Sequence, residues 1–272
     1  MKINFIKMSG AGNDFVLLTG PALVSQKGQS AWLKKLAVKL CAQKLAVGAD
    51  GLLYVNRAGS NAISMRYFNS DGSETFCGNG SRCSAWWAYA SGLIKEKKFY
   101  LKSVSGDLPV EIVSREMVKM RMPDVEVVSL YHNGVWPPPL KTVHFLNTGV
   151  PHAVAVVENL DKLDVCALGR SMRYNKAFGK AGANADFVSV KNGFVKVRTY
   201  ERGVEAETLA CGTGITASAI ALGLCGGVGS PVKITSKNGE KFKVWYKRDG
   251  ERVTDIYIQG PAKIVFRGTM EI

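Results

Sequence analysis

The sequence has few of the features that mark fibrous, membrane-spanning or metal-binding proteins. It contains no apolar run of the roughly 18 residues that a helix needs to cross a bilayer, no three-residue glycine period and no sustained heptad. Only three histidines occur, and none of the six cysteines forms a Cys-x-x-Cys pair, so zinc-site spacing is missing. The apolar stretch within 1–15 is too short for a secretory signal. These absences predict a cytoplasmic protein whose thiols are reduced.

Apolar residues make up 46% of the 272 positions and charged residues 21%, a mixture typical of globular proteins. This length suffices for one large core or for two cores of about 130 residues each. The net charge of +14 can indicate nucleic-acid binding. The lysines and arginines are dispersed, however, and are not interleaved with aromatic residues. A solvated basic surface is therefore favoured over a nucleic-acid site, and attraction of anionic substrates is a third interpretation.

Hydrophobic patterning predicts many short strands and few helices, with a domain boundary near Pro123. The predicted strands are 3–8, 14–19, 51–55, 63–69, 99–104, 109–113, 117–122, 142–147, 152–157, 185–190, 194–201, 231–236, 241–247, 253–258 and 262–267. The predicted helices are 30–46 with Ser30 as N-cap, 81–90, 161–172 and 215–224. The second helix is apolar on nearly all sides, which predicts that it is buried.

An internal repeat indicates that the chain duplicates one structural unit. One copy reads MRYFN and then GSETFCGNG, ending at Gly80, and the other reads VRTYE and then AETLACGTG, ending at Gly214. Both copies are interpreted as strand, polar turn, Glu-Thr, Cys-Gly-x-Gly and apolar helix. A weaker similarity links 13–16 with 186–188. The simplest explanation is two similar domains, one carrying Cys77 and the other Cys211.

Each Cys-Gly-x-Gly motif is predicted to lie where a loop enters a buried helix. The unpaired N–H groups of a first helical turn carry partial positive charge, which can lower a cysteine pKa and can bind a carboxylate. Two such helix ends facing across a cleft would let one thiolate remove an α-proton while the opposite thiol returns one. This is stereoinversion without a cofactor, and it depends on electrostatic preorganisation. The remaining cysteines are assigned to packing: Cys41, Cys83, Cys166 and Cys225.

Six motifs in this sequence resemble the signatures of the diaminopimelate epimerase family, in order and along essentially the whole chain. They are MSGAGNDF at 8–15, FNSDGSE at 68–74, CGNGSRC at 77–83, PH at 151–152, YERG at 200–203 and ETLACGTG at 207–214. The resemblance implies an α+β fold of two pseudo-symmetric α/β domains, each an antiparallel sheet wrapped around a central buried helix. The N-terminal domain would comprise 1–122 plus 262–272 and carry Cys77. The C-terminal domain would comprise 123–261 and carry Cys211.

The resemblance also implies an activity: interconversion of LL- and meso-2,6-diaminopimelate, a precursor of lysine and peptidoglycan, without cofactor or metal. Cys77 and Cys211 would be the acid/base pair, with His152 and Glu201 beside them. Arg202 would suit the distal carboxylate and Glu201 the distal ammonium. The partner would be a small amino acid rather than nucleic acid or membrane, and a homodimer is left open. The implied substrate-binding residues are Asn13, Asn69, Gly78, Asn79, Asn184, Glu201, Arg202, Gly212 and Thr213.

Two departures from the family pattern bear on selectivity. Gly51 stands where many members carry glutamine, and Val150 stands where many carry asparagine. Asn147 or Thr148 could supply a missing polar contact. Because a lost hydrogen bond costs roughly 0.5–1.5 kcal/mol, we hypothesise that selectivity at the distal end of the substrate is relaxed.

Other classes of function remain as alternatives at this stage. The first is another racemase or isomerase of the same fold, such as a proline-racemase-like or a phenazine-biosynthesis-type enzyme acting on a different substrate. The second is a basic nucleic-acid-binding module, whose binding to heparin would fall steeply with salt. The third is a thiol redox protein, which would need a disulfide as a working state.

Overall fold

The computed structural model describes residues 2–20, 26–126, 128–250 and 252–271. The chain divides into two compact units. The first unit consists of Met1–Met120 and Gly260–Ile272, and the second of Arg121–Gln259. Both junctions lie two residues before the predicted domain boundaries. Among the described residues, no helix has the length and apolar character to span a membrane.

The first unit is built from two hairpins, two crossover helices and a meander. The antiparallel pairs are β1–β2, β3–β4, β6–β7 and β7–β8. The parallel pairs are β2–β3 and β4–β6. The elements are β1 (Lys2–Gly10), β2 (Asn13–Leu18), α1 (Gln26–Cys41), β3 (Gly51–Arg57), β4 (Ala62–Asn69), β5 (Glu74–Thr75), α2 (Gly78–Ala90), β6 (Lys98–Ser103), β7 (Gly106–Ser114) and β8 (Met117–Arg121).

The second unit repeats this succession of elements. Antiparallel pairs β10–β11, β12–β13, β15–β16 and β16–β17 alternate with the parallel pairs β11–β12 and β13–β15. The elements are β9 (Val128–Ser129), β10 (Val143–Asn147), β11 (Pro151–Val156), α3 (Val165–Arg173), β12 (Asn184–Lys191), β13 (Phe194–Glu201), β14 (Ala206–Thr208), α4 (Gly212–Leu224), β15 (Val232–Thr235), β16 (Lys241–Asp249) and β17 (Arg252–Pro261), with 3-10 turns at Leu160–Lys162 and Lys176–Phe178. The duplication inferred from the repeat is confirmed.

The sheets differ from the expected antiparallel ones, because each unit contains two parallel pairs. A parallel pair needs a crossover connection, and each of the four helices supplies one. Helices α1 and α2 follow β2 and the β4–β5 segment, and α3 and α4 take the same places in the second unit. Hydrophobic alternation marks a strand without showing its direction, so the sequence pattern alone left this point undetermined.

The last strand of the chain, β18 (Lys263–Glu271), pairs antiparallel with β1 over Lys2↔Glu271 to Ser9↔Lys263. This pairing explains why the C-terminal residues belong to the first unit. Leu33, Leu36 and Leu40 of α1 pack against the sheet in one apolar cluster. Burying a leucine contributes roughly 1.5–3 kcal/mol, which makes this cluster a main source of stability for the unit.

Helices α2 and α4 are buried along most of their length, as the apolar pattern predicts. Both begin three residues before the predicted starts, because Cys77 and Cys211 are their N-caps. Helix α1 also differs from prediction: it begins at Gln26, so Ser30 is not its N-cap. The Ser30 hydroxyl instead accepts a hydrogen bond from the Arg66 guanidinium at 2.6 Å. The predicted helix 161–172 is a 3-10 turn followed by α3, which Asp164 caps.

Candidate active site

Cys77 lies at the entrance of α2 with an extended backbone, at φ −139° and ψ 111°. Its side chain is half-buried, and its Sγ accepts a hydrogen bond from the Gly80 N–H at 3.4 Å. A Cβ on Gly80 would lie 2.8 Å from Leu53 Cδ2, so a side chain at this point would displace the buried Leu53. The predicted position of Cys77 at a helix N-terminus is confirmed.

Two predicted substrate-binding residues of the first unit lie together beside Cys77. The Asn79 amide donates to Asn13 Oδ1 at 2.5 Å, and the Asn13 amide donates to Asp50 Oδ2 at 2.8 Å. Asn79 Oδ1 accepts a hydrogen bond from the Arg82 guanidinium at 2.7 Å. These bonds fix the first turn of α2, including Gly78, in one orientation.

Arg82 is fully buried under the first turn of α2. Its guanidinium contacts the Pro261 and Gly78 carbonyls as well as Asn79. Burial lowers the pKa of Arg82 to about 10, against the opposing influence of the Cys83 and Cys77 sulfurs. Arg82 therefore stays charged at neutral pH, and this buried cation favours negative charge on nearby sulfur.

Asn69 and Gly51 lie opposite each other at the ends of β4 and β3. The Asn69 amide donates to Ser73 Oγ at 2.9 Å, which places Asn69 at the polar turn rather than in the Asn13–Asn79 cluster. A Cβ on Gly51 would overlap the Tyr67 ring and approach the Phe68 carbonyl. In this chain Tyr67 thus occupies the space that a side chain at position 51 would need.

Cys211 is the N-cap of α4, in the same extended conformation, and its side chain is buried. A chain of close polar contacts leads away from its sulfur. Thr213 Oγ1 lies 3.3 Å from Cys211 Sγ and 2.9 Å from His152 Nε2. His152 Nδ1 lies 2.6 Å from Asp186 Oδ2, and the Thr199 hydroxyl donates to Asp186 Oδ1 at 2.7 Å. The second unit thus brings His152 and Thr213 to the cysteine.

The pKa of Cys211 lies well above its ordinary value. Burial is the largest cause, and the charges of Glu201 and Asp186 act in the same direction. Hydrogen bonds from Thr213 and the Gly214 N–H lower the pKa but do not offset burial. The expectation that the helix N-terminus gives an accessible thiolate is therefore wrong for Cys211, because desolvation of the charged form dominates. Cys211 is a thiol at neutral pH.

The remaining predicted residues of the second unit cluster at the ends of β12 and β13. Asn184 Oδ1 accepts a hydrogen bond from the Arg202 N–H at 2.7 Å, and its amide donates to the Pro151 carbonyl at 3.0 Å. Glu201 accepts a hydrogen bond from the Thr208 hydroxyl. The Arg202 guanidinium forms no ion pair with any residue that the structure describes. It is thus available for an anionic ligand.

The residues that could replace the missing asparagine at Val150 have different surroundings. The Thr148 hydroxyl is buried and donates to the Thr213 carbonyl at 3.1 Å, within the first turn of α4. Asn147 Oδ1 instead accepts from the Gly149 N–H at 3.2 Å and shapes the β10–β11 turn. Thr148 therefore lies against the first turn of α4, whereas Asn147 belongs to the turn.

Three further residues of the site were not predicted from the sequence: Asp186, Thr199 and Arg82. One signal was available for Asp186: it interrupts the apolar strand NADFVSV, and a carboxylate inside a buried strand is rarely there without a polar partner. The weak similarity between 13–16 and 186–188 gave no help, because these segments lie in β2 and β12, which hold different places in the two units.

The four other cysteines are not all packing residues. Cys41 and Cys83 are buried, and burial raises the pKa of Cys41 to about 12. Cys166 is exposed, so its assignment to packing is wrong. Cys225 is half-buried, with its Sγ 3.9 Å from the His144 ring nitrogens. Within the described part of the chain, no group of three or more His, Cys, Asp or Glu side chains is arranged to hold a metal ion.

Solved structures share this fold over the whole chain. A phenazine biosynthesis protein of the PhzF family from Bacillus anthracis matches with a TM-score of 0.75 at 17% identity, covering 100% of both chains. A probable proline racemase from Agrobacterium radiobacter, with bound carbonate, matches with a TM-score of 0.71 at 16% identity, covering 99% of this chain and 92% of its own. The duplicated fold is therefore that of a class of proteins that includes racemases, epimerases and isomerases.

Sequence comparison narrows this class. The family model for diaminopimelate epimerase matches residues 5–128 and 144–265. Diaminopimelate epimerases from Flavobacterium psychrophilum and Chlorobaculum tepidum are each 36% identical to this chain and cover 97% of it. The matches extend over 98% and 100% of those two proteins. The chain belongs to the diaminopimelate epimerase family.

Proposed function

We propose that this protein interconverts LL- and meso-2,6-diaminopimelate with Cys77 and Cys211 as its acid/base pair. The observation that carries the proposal is that each unit presents a cysteine as the N-cap of a buried helix, within the duplicated motif of the family. The product would serve the synthesis of lysine and peptidoglycan, as the family membership implies.

The charges near the two cysteines act on their thiols in opposite directions. Cys211 carries its proton at rest, because burial and the Glu201 and Asp186 charges raise its pKa. Cys77 lies near the buried cation of Arg82, which favours the thiolate. When the reaction begins with a Cys77 thiolate and a Cys211 thiol, the Cys77 sulfur accepts the α-proton. The Cys211 thiol then delivers its proton to the opposite face of the same carbon. The turnover leaves a Cys77 thiol and a Cys211 thiolate, which is the starting state for the reverse direction.

Backbone N–H groups at the two helix ends stabilise the negative charge that develops on the reacting carboxylate. Gly78, Asn79, Gly212 and Thr213 form the first turns of α2 and α4, where N–H groups lack helical partners. At the distal end of the substrate, Arg202 binds the carboxylate in a bidentate manner and Glu201 binds the ammonium. The free Arg202 guanidinium supports this assignment.

We also propose that selectivity at the distal end is relaxed. Gly51 and Val150 offer no side-chain hydrogen bonds, and Tyr67 fills the space beside Gly51. Racemisation of glutamate, aspartate and lysine, each measured beside diaminopimelate, tests this proposal. We expect slow but measurable turnover of at least one of the three, whereas activity confined to diaminopimelate would remove the proposal.

The cytoplasm is the compartment that suits this chemistry. All six cysteines are free thiols, and the reaction needs both catalytic sulfurs reduced. The cytosol keeps thiols reduced, whereas oxidising compartments form disulfides. We expect activity to decline on oxidation and to return with a reducing agent.

The deciding experiment is incubation with LL-diaminopimelate in deuterated water, followed by mass spectrometry and chiral chromatography. We expect the meso isomer to form with deuterium on one α-carbon. Cys77→Ala and Cys211→Ala should each abolish epimerisation, because each thiol serves one face of the carbon. Cys166→Ala, which removes an exposed cysteine, is the matched control and should retain full activity. Turnover in either catalytic alanine variant would refute the two-thiol assignment.

A further inference from the structure

The polar groups of Asp186, His152, Thr213 and Cys211 form a continuous series of close contacts, and their chemistry allows one direction of hydrogen bonding along it. An ionised carboxylate only accepts hydrogen bonds, so the 2.6 Å contact with Asp186 requires a proton on His152 Nδ1. When the imidazole carries this proton alone, Nε2 is an acceptor, and the Thr213 hydroxyl 2.9 Å away can donate to it. Thr213 Oγ1 lies 3.3 Å from Cys211 Sγ, and once its own proton is donated to Nε2 this oxygen can accept from the Cys211 thiol. Asp186 and His152 are fully buried, so water does not compete for these groups.

The fold does not require polar groups at these positions. The repeat aligns Tyr67 with Thr199, and these residues lie opposite Leu53 and Asp186 in the matching hairpins β3–β4 and β12–β13. Leu53 therefore corresponds to Asp186. Where the second unit buries a carboxylate, the first unit buries a leucine of similar size.

The same reasoning pairs His152 with a phenylalanine. Leu17 lies opposite Leu53 in the parallel pair β2–β3, and Val154 lies opposite Asp186 in β11–β12. Two residues earlier in each strand come Phe15 and His152, both fully buried. The first unit is therefore stable with an aromatic hydrocarbon ring where the second has an imidazole.

The glycines of the two motifs support this correspondence independently. A Cβ on Gly80 would meet the Leu53 side chain, and a Cβ on Gly214 would meet the Asp186 carboxylate. The side chains at these two strand positions thus lie against the same turn of α2 and of α4. Burying a carboxylate and an imidazole costs free energy that leucine and phenylalanine do not, which argues for a role beyond packing.

We propose that Asp186 is a positioning residue of the reaction: through His152 and Thr213 it controls the route by which Cys211 gives up and regains its proton. The inference rests on the proposed function, in which Cys211 acts as one of the two acid/base groups. The hydrogen bonds of the Asp186 carboxylate are to His152 and Thr199, and its effect on Cys211 is electrostatic. Asp186 acts by fixing the imidazole tautomer, so that Nε2 remains free to accept a proton.

The proton transfer is a double shift along existing hydrogen bonds. The Cys211 S–H proton moves to Thr213 Oγ1 as the Thr213 hydroxyl proton moves to His152 Nε2. The products are a thiolate, an intact hydroxyl and an imidazolium beside the Asp186 carboxylate, so charge and protons balance. The charged groups acting on Cys211 are Glu201 from β13 and Asp186 from β12, and His152 of β11 acts through Thr213.

Asp186→Asn is the decisive variant. Its amide would donate to Nδ1, force the proton onto Nε2 and remove the acceptor that Cys211 needs. In the direction in which Cys211 must first lose its proton and then accept the α-proton, we expect kcat to fall about 10²-fold with KM unchanged, at the lower end of what positioned proton transfer contributes. Thr213→Val should lose activity in the same way, whereas Thr213→Ser, which keeps the hydroxyl, should retain most of it. Asp161→Asn removes an exposed carboxylate of the same unit and is the matched control.

A second measurement separates positioning from a structural role. In a Cys77→Ser background, the pH dependence of Cys211 alkylation by iodoacetamide reports the thiol directly. Asp186→Asn should shift the alkylation midpoint to lower pH, because the variant loses a negative charge and lets Nε2–H donate through Thr213 to the thiolate. A merely structural residue would change the rate or the unfolding temperature but not this midpoint.

The outcomes distinguish this inference from the proposed function. Wild-type kcat and an unshifted alkylation midpoint in Asp186→Asn would overturn the inference while leaving the epimerase intact. Absence of α-deuterium exchange by the wild-type protein would instead overturn the proposed function. The alkylation midpoint would still test whether Asp186 acts on Cys211 through His152 and Thr213. If Asp186→Asn does not fold, the Thr213 variants test the inference. Equal activity of Thr213→Val and Thr213→Ser would overturn it, because only serine keeps the hydroxyl that passes the proton.

Discussion

Cys77 and Cys211 hold the same position in two copies of one unit, but the charges buried near them are opposite in sign. Arg82 belongs to the helix that Cys77 caps, and it is fully buried, cationic and close enough to interact electrostatically with the Cys77 sulfur. Near Cys211, the charges of Asp186 and Glu201 raise the thiol pKa, on top of the effect of burial. The comparison teaches that two helix ends of the same local geometry can carry nearby charges of opposite sign, so that the cation near Cys77 favours negative charge on sulfur and the carboxylates near Cys211 oppose it.

The framework around the two sites is much more alike in the two units. Arg66 binds Glu74 through two hydrogen bonds of 2.7 Å, and Arg198 binds Glu207 through bonds of 2.7 and 3.0 Å. Both pairs join the second hairpin of their unit to the short strand that leads into the motif. The two units thus share the same ion pair in their scaffold but carry opposite charges near their cysteines. The difference between the units therefore lies in the residues around the cysteines.

The largest expected effect follows from removing the buried cation. Arg82→Met should reduce kcat by about 10²-fold, because Cys77 loses the charge that favours its thiolate. It should also lower the free energy of unfolding by about 1–3 kcal/mol, since Asn79 Oδ1 and two carbonyls lose their donor. Epimerisation rates and urea unfolding measure the two effects.

Thr216→Val is the matched control for Arg82→Met, because Thr216 holds the corresponding place in α4. Its hydroxyl only donates to the Gly212 carbonyl at 2.9 Å, so we expect activity to change little. Equal loss of activity in both variants would contradict the view that charge near Cys77 is what matters.

A second prediction sharpens the contrast between the two sulfurs directly. At pH 7, iodoacetamide should modify Cys77 at least about tenfold faster than Cys211, because only thiolate reacts and Cys211 is a buried thiol. Peptide mass spectrometry of briefly labelled protein measures both rates in one sample. Faster labelling of Cys211 would reverse the assignment of resting states.

The two helix N-termini and the repeat that relates them could be predicted from the sequence, because the motifs that mark them are local. The motif CGNG or CGTG before an apolar run indicated both helix N-termini to within three residues, whereas the short strands β5 and β14 were not predicted. The parallel pairs could not be predicted, since alternation is the same in either direction. The raised pKa of Cys211 was out of reach because desolvation is a property of tertiary packing, not of the helix end itself. Asp186 was visible only as a charge inside an apolar strand.

A third, smaller prediction compares the scaffold ion pairs. Arg198→Gln should lower the free energy of unfolding by about 1–2 kcal/mol, and Arg66→Gln by about half as much. Arg198 is the more buried, and it also donates to the Leu160 and Leu163 carbonyls, which would lose a partner. Chemical unfolding of the two variants checks the order, and a larger loss for Arg66→Gln would contradict it.

The smallest expected effect concerns the polar turns that precede the two motifs. Two serine hydrogen bonds lower the pKa of Asp71, and the Gly203 N–H and Arg173 lower the pKa of Glu205. A carboxylate with a depressed folded-state pKa contributes stability above its unfolded pKa, and this contribution is lost as pH falls through the folded value. Asp71→Asn and Glu205→Gln should therefore each weaken the loss of stability between pH 7 and pH 3. Both groups are exposed, so salt should reduce the difference for Glu205, whose partner is a cation, more than for Asp71, whose partners are neutral. If salt changed the pH-dependent stability of the two variants equally, the contrast between a cationic partner for Glu205 and neutral partners for Asp71 would be wrong.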